Sequence, residues 1–316
     1  MFKIPMYILA IVLLITGCCP RTTPMTPIVT YTIPQVKLER LPSAFPPLTQ
    51  DELSQDWAKE LMIGDAFSKE FDFYRAITAY KRAYLLIPCD LKERRLEILY
   101  NIALSYYIAN KYQEVINTFE DGELIEANPT FPAFNNLLLM LYDSYMHQKQ
   151  CEKAEAIMGL IEACSPETAR DLALYTDVLN GDVAAISCDI SEHPNRDDYI
   201  PYLCAYEQDY KSPKKAQVLN AILPGAGYYY VGQKKSALTS FLINTLFTAA
   251  AYQFFHHGYY AAGIITASLE TGWYLGGING AGIEAAEYNQ RLYECLGHNM
   301  LVENRLFPVL MFETAF

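Results

Sequence analysis

Three stretches of this chain superpose at a constant offset of 39 residues: Gly64, Phe67, Ala76, Tyr80, Ala83 and Pro88; then Ala103, Tyr106, Val115, Phe119 and Gly122; then Tyr142, Tyr145, Ala154, Met158 and Pro166. A repeat of this length encodes one supersecondary unit per copy, and such a unit cannot bury its apolar side alone. Small residues and aromatics at helical spacing predict paired helices, each pair stacked on the next. Residues 49–168 are therefore expected to form an all-α array of three repeats, about 57–90, 96–129 and 135–168, with a partial fourth pair and linker over 169–212.

Helix starts are written into the same region. Thr49 with Glu52, and Asp90 with Glu93, have the spacing of a capping box, in which an N-cap oxygen and a carboxylate three residues on satisfy each other's backbone amides. Ser165 followed by Pro166, and Ser212 by Pro213, place an N-cap before a proline at the first turn.

The repeat resembles the tetratricopeptide repeat, in which a small residue of the first helix packs on a small residue of the second and aromatics fill the space between. The first copy is nearest that pattern, and the 39-residue period exceeds the roughly 34 of the family. The resemblance implies a helical-hairpin solenoid whose face binds protein partners. Tyr106, Tyr107 and Tyr145 fit core packing better than a binding groove.

Charge is unevenly distributed. Thr49 to Tyr199 holds 27 acids against 13 bases, while the remainder of the 316 residues holds 9 against 11. A chain of net charge −12 lacks the cationic footprint that phosphate backbones require, so no nucleic-acid partner is expected.

The N-terminus, MFKIPMYILAIVLLITGCC, has a lysine, a short apolar run from Ile4 to Ile15, and small residues before Cys18. That is the layout of a secretory signal over 1–17. Ile15 to Cys18 resembles the bacterial lipobox, which implies acylation of Cys18 and a lipid-anchored protein of the cell envelope facing the periplasm, with membrane lipid as a partner. Residues 18–48, rich in proline and threonine, read as an extended tether of up to about 90 Å. Cys89, Cys151, Cys164, Cys188, Cys204 and Cys295 show no CxxC pairing and are expected as buried thiols, Cys151 and Cys164 at opposite ends of one helix.

From Ser236 to Ile283 the chain runs forty-eight residues with one formal charge, Glu270. Pro224 ends a short helix before it, Gly225 and Gly227 permit a reversal, and Gly232 closes the segment LPGAGYYYVGQ. Over 213–295 this predicts a re-entrant turn, an apolar helical hairpin of 236–255 and 259–278 long enough to match a bilayer, and an amphipathic helix, followed by a tail at 296–316. Gly272, Gly276 and Gly280 have the GxxxG spacing that lets helices approach closely. Glu270 then needs a partner, with Asn244, Thr245 and Thr248 the candidates, or else protonation. His256, His257, Glu284, Glu287 and His298 match no ligand spacing, so neither metal nor cofactor is expected.

These features together resemble a C-terminal membrane module of uncharacterised bacterial envelope proteins, whose relatives sometimes accompany a membrane protein insertion efficiency factor. The resemblance implies no activity. The expected function is a non-enzymatic envelope scaffold, its repeats holding a protein partner and its hairpin docking in membrane or on a membrane protein complex. Two alternatives are an outer-membrane protein assembly lipoprotein of repeat type, and a proton- or ion-coupled membrane protein or intramembrane enzyme using Glu270. Basic flanks at Lys214, Lys215, Lys234, Lys235 and Arg291 oppose a periplasmic entry of the hairpin, so inner and outer membrane both stay open.

Overall fold

The computed structural model describes residues 27–31, 38 and 40–316. Cys18 and the signal segment lie outside the described residues, as does part of the tether. Among the described residues the fold is all-α, with no strand and one isolated bridge. Contacts divide the chain into a unit of Val29–Ile200 with His298–Phe316, and a second that includes Pro201–Gly297.

The first unit opens with one helical turn, Gln50–Leu53, held by the expected capping box: Thr49 Oγ1 accepts from the Glu52 amide, and Glu52 accepts from the Thr49 amide at 2.7 Å. Eight helices follow: α1 (Asp56–Lys69), α2 (Phe73–Leu86), α3 (Lys92–Ile108), α4 (Tyr112–Glu120), α5 (Phe134–His147), α6 (Cys151–Cys164), α7 (Pro166–Asn180) and α8 (Val183–Glu192). Each packs on the next, and α3 also packs on α5. Asp90 does not cap α3. That helix begins at Lys92 behind Leu91, which offers no side-chain acceptor, so the second expected capping box is not formed. Ser165 caps α7 with Pro166 at its first turn.

The internal repeat is most regular in the backbone. Phe71, Asn110 and Lys149, each 39 residues from the next, adopt left-handed φ of 60°, 57° and 56°. Each ends the first helix of a pair with the same two bonds: Phe71, Asn110 and Lys149 donate to Ser68, Tyr107 and Met146, and the following amides donate to Phe67, Tyr106 and Tyr145, all at 2.9–3.0 Å. This is a Schellman cap, which satisfies carbonyls the helix leaves free. Gly181, at φ 74°, makes the fourth such turn, between α7 and α8. Identical turns are why side chains recur in register: the Gly64 backbone touches the ring of Tyr80, and Ala76, Ala83, Ala103 and Ala154 are buried. Phe67, Tyr106 and Phe119 are half-buried, Tyr145 is buried, and Pro88 and Pro166 are exposed at helix junctions. Between α4 and α5 the chain inserts a 3-10 turn, Glu123–Glu126, where Glu123 accepts two bonds from Arg95.

Two expectations about the flanks change. Residues 40–48 are not free tether. The Arg94 guanidinium donates to the carbonyls of Pro46 and Pro47 at 2.9 and 3.1 Å, and Phe45 packs between Tyr100 and Phe131. Proline gives no amide but keeps its carbonyl, so a proline-rich segment can still dock where a guanidinium supplies donors. The cysteines are exposed, Cys89, Cys151, Cys164, Cys188 and Cys204 as free thiols, because they fall at helix ends or on outward faces of helices whose inner faces Ala154, Ile157, Ile161, Ile186 and Ile190 occupy.

The second unit contains α10 (Pro213–Ile222), α11 (Ala226–Tyr230) and α12 (Lys234–His256); α9 spans Arg196–Asp209 and α13 spans Tyr260–Glu303. The second apolar helix does not stop near residue 278. It runs on through Gly280 and Gly282 as part of a 44-residue helix, and the Tyr228 and Gln217 side chains lie close against those glycines. No helix among the described residues is long and apolar enough to cross a membrane, which corrects the bilayer-matched reading of 236–255 and 259–278. Absence of charge is not apolarity: Asn244, Thr245, Thr248 and Gln253 in the one, and Thr266, Ser268, Glu270 and Thr271 in the other, lower the mean hydropathy.

Candidate functional site

The face built by α3, α5 and α7 carries the polar and aromatic groups that an array of helices would otherwise exclude from its interior. Asn136 on α5 is buried, and a buried amide is costly unless its donors and acceptor are filled. Its Nδ2 donates to the Thr314 carbonyl and hydroxyl, both at 2.9 Å, and lies 3.3 Å from the Tyr100 hydroxyl oxygen, while its Oδ1 accepts from the Glu313 amide at 3.4 Å. One side chain thus holds both the N–H and the C=O of a chain segment lying on the face.

That segment is the tail. Leaving α13 through a left-handed Arg305, it forms a 3-10 turn, Pro308–Leu310, and continues without helix to Phe316. Phe307 stacks on Tyr31 at 4.8 Å and meets the edge of Tyr175, Phe312 lies 5.7 Å from Tyr107, and Phe316 lies 6.3 Å from Phe73. Offset and edge-on rings of this kind favour contact beyond the area they bury. The Ala315 amide donates to Pro42 at 2.9 Å, pairing the tail with residues 42–43 through a single parallel bridge.

Beside the tail remains a cavity of about 330 Å³, lined among others by Tyr107, Asn110, Tyr112, Asp143, His147 and Phe307. Asp143 is its buried charge: Oδ2 accepts from the Tyr107 hydroxyl at 2.7 Å, Oδ1 from the Tyr175 hydroxyl at 3.0 Å, and His147 Nδ1 stands 3.3 Å from Oδ1. The His147 ring stacks on Tyr112 at 4.0 Å. Burial, then the charge of Asp143, drives the Tyr107 and Tyr175 hydroxyls well above their ordinary range, so both stay protonated donors. For His147, burial opposes protonation, but the hydrogen bond and charge of Asp143 outweigh it and raise the pKa. Burial also pushes Tyr100 and Tyr112 up to about 12. Such a cluster fixes positions and charge; it offers no hydroxyl ready to lose a proton near neutrality.

The expected module residues divide into two sets. Pro224 follows the end of α10, and Gly225, at φ 92°, makes the reversal while its amide donates to the buried Asn220 Oδ1 at 2.9 Å. Gly227 serves a different need than a turn: a Cβ there would meet the Ala216 carbonyl and the Ala281 methyl. Gly232, at φ 91°, turns the chain into α12. Gly272 and Gly276 do not mediate close packing, since a Cβ at either would meet open space; they line a groove of about 660 Å³ with Trp273 and Glu284. The close approaches on α13 fall instead at Gly263, Gly277, Gly280 and Gly282, against Phe255, Asn220, Tyr228 and Gln217.

Glu270 is not paired as expected. Its Oε2 is buried without a hydrogen-bond partner, while Asn244 donates to the Ser240 carbonyl and Thr245 to that of Phe241. Desolvation raises its pKa. Elsewhere on α12 and α13, Leu238, Leu242, Leu246, Ile264, Ile265, Leu269 and Trp273 are exposed.

Sequence reasoning missed Asn136 and Asp143, polar residues of an apolar helix that match no motif; the only signal was their position, Asn136 directly before the run Leu137–Leu141 and Asp143 between that run and Tyr145. No family model matches this chain, and no solved structure does.

Proposed function

We propose that this protein is a non-enzymatic scaffold or adaptor of the bacterial cell envelope, lipid-anchored through Cys18, whose tetratricopeptide-like helical pairs bind a protein partner and whose C-terminal helices dock on a membrane surface or a membrane protein complex. What supports the partner-binding half is the buried Asn136, which presents both a donor and an acceptor to the backbone of a non-helical segment on the α3–α5–α7 face. Backbone groups belong to every sequence, so a clamp of this kind suits recognition of a chain by its conformation. The docking half is supported by the exposed leucines, isoleucines and Trp273 on α12 and α13, large apolar side chains of the kind that interaction surfaces gather.

Photo-crosslinking in cells tests the reading. A photoreactive residue at Asn110, on this face, should give discrete protein adducts, whereas one at Glu155 on α6 should not. Adducts that do not differ between the two positions would contradict it. Metabolic acyl labelling should mark the wild-type chain and not Cys18→Ser. A second reading, proton coupling through Glu270, draws on its unpartnered Oε2; it predicts that Glu270→Gln abolishes pH-dependent function.

A further inference from the structure

We propose that residues 306–316 are a replaceable occupant of the α3–α5–α7 groove, holding in cis the place of a partner segment that is itself non-helical and carries aromatic side chains five residues apart. The inference rests on the partner-binding reading above and adds what the partner looks like and what it must displace.

Three observations carry it. The polar clamp acts mainly on backbone: Asn136 accepts from the amide of Glu313 and donates to the carbonyl of Thr314, and the Thr314 hydroxyl is the one tail side-chain group among these hydrogen bonds. A core built only for packing would use an apolar residue there, because a buried amide gains nothing over a hydrocarbon unless backbone is brought to it. The side-chain recognition is aromatic and spaced: Phe307 sits between Tyr31 and Tyr175, and Phe312, five residues on, against Tyr107. The seating is local, although Leu306, Val309, Leu310 and Ala315 are buried with the rings. The tail joins residues 42–43 by one bridge in place of a ladder, it departs from α13 at a single left-handed residue, Arg305, and it leaves about 330 Å³ unfilled above Asp143 and His147. The tail buries these apolar side chains as well as its rings, yet it lies beyond the end of α13, so it can leave without unwinding an α-helix. Its place then has to be taken by a segment that restores this burial, and such a partner segment can extend further into the space beside Asp143.

The test uses the full chain with a specific protease site introduced at Asn304–Arg305, folded first and cut afterwards. The probe is a fluorescent peptide with the sequence of residues 306–316. The uncut chain should bind it at least tenfold more weakly than the cut chain, which should take it up saturably. Asn136→Asp in the cut chain, or Phe307→Ala with Phe312→Ala in the peptide, should each weaken uptake tenfold or more. A cut chain that stays helical and never exchanges its tail would overturn the proposal, as would loss of helix on cutting, since both make the tail a fixed part of the core. Uptake insensitive to Asn136 and to both phenylalanines would also overturn it. Formation of dimers by the uncut chain through exchanged tails would assign the groove to a second copy and defeat the partner claim. Crosslinking at Asn110 reads partner binding itself, so its failure and a failure of exchange are separate results.

Discussion

The amide nitrogen of Asn136 stands 2.9 Å from the carbonyl oxygen of Thr314, joining two residues 178 positions apart through a side chain that is almost wholly buried. Replacing Asn136 by Leu keeps the size and removes both partners of the tail backbone. The two tail backbone groups are part-buried, so leaving them unpaired costs less than a fully buried pair would, on the order of 1 kcal/mol. Asn136→Leu is expected to lower the urea midpoint accordingly while far-ultraviolet dichroism stays unchanged at neutral pH; an unaffected midpoint would mean that the tail is not seated as described.

Lys149 holds a left-handed backbone, at φ 56°, in the turn between α5 and α6. That conformation costs a residue with a Cβ about 1–2 kcal/mol and costs glycine little. Lys149→Gly should therefore raise thermal stability, by about 1 kcal/mol. A drop would show that the side chain, and not the turn, dominates there.

In the second unit, two glycines that look equivalent in sequence should behave oppositely. Gly276 faces open space, so Gly276→Ala is expected to gain up to about 1 kcal/mol of helix propensity. At Gly227 a methyl meets the backbone carbonyl of Ala216, which cannot yield as a side-chain end could, and Gly227→Ala should cost about 1–3 kcal/mol. Thermal melts of the two variants, read in parallel, check the assignment of the close contact.

The His147–Asp143 pair gives stability a pH dependence. Asp143 raises the folded-state pKa of His147 above its ordinary value of 6.5, so the folded state binds this proton more tightly than the unfolded state does. Its contribution is complete below 6.5 and is lost as pH rises through the folded pKa. Urea midpoints of the wild type should fall relative to His147→Gln as pH rises above 6.5 and through the raised folded-state pKa. Parallel profiles would remove the pair from the account.

Much of the helical organisation was legible from spacing. Small residues and aromatics 39 apart located the pairs, and Thr49, Ser165 and Ser212 marked starts that their side chains do cap. The left-handed turns at Phe71, Asn110 and Lys149 were not legible, because none is glycine; the cap there is enforced by the helices on either side. The site was legible only in its aromatics. Tyr107 and Tyr145 are buried as expected, but whether a ring lies in a core or under a docked tail depends on contacts from residues two hundred positions away, which periodicity does not encode. Uncharged sequence was misleading over 236–278, where amides, hydroxyls and glycines separate lack of charge from hydrophobicity.

Native-state hydrogen exchange tests the central claim most directly, because it reports the opening free energy of each amide separately. The amide of Ala315, bonded to Pro42, should be protected, yet should exchange through an opening several kcal/mol smaller than that of the buried α3 and α5 amides around Tyr100 and Leu141. Exchange of Ala315 at the rate of the most protected α3 and α5 amides would contradict a replaceable tail, and exchange at the rate of an unstructured chain would contradict its seating altogether.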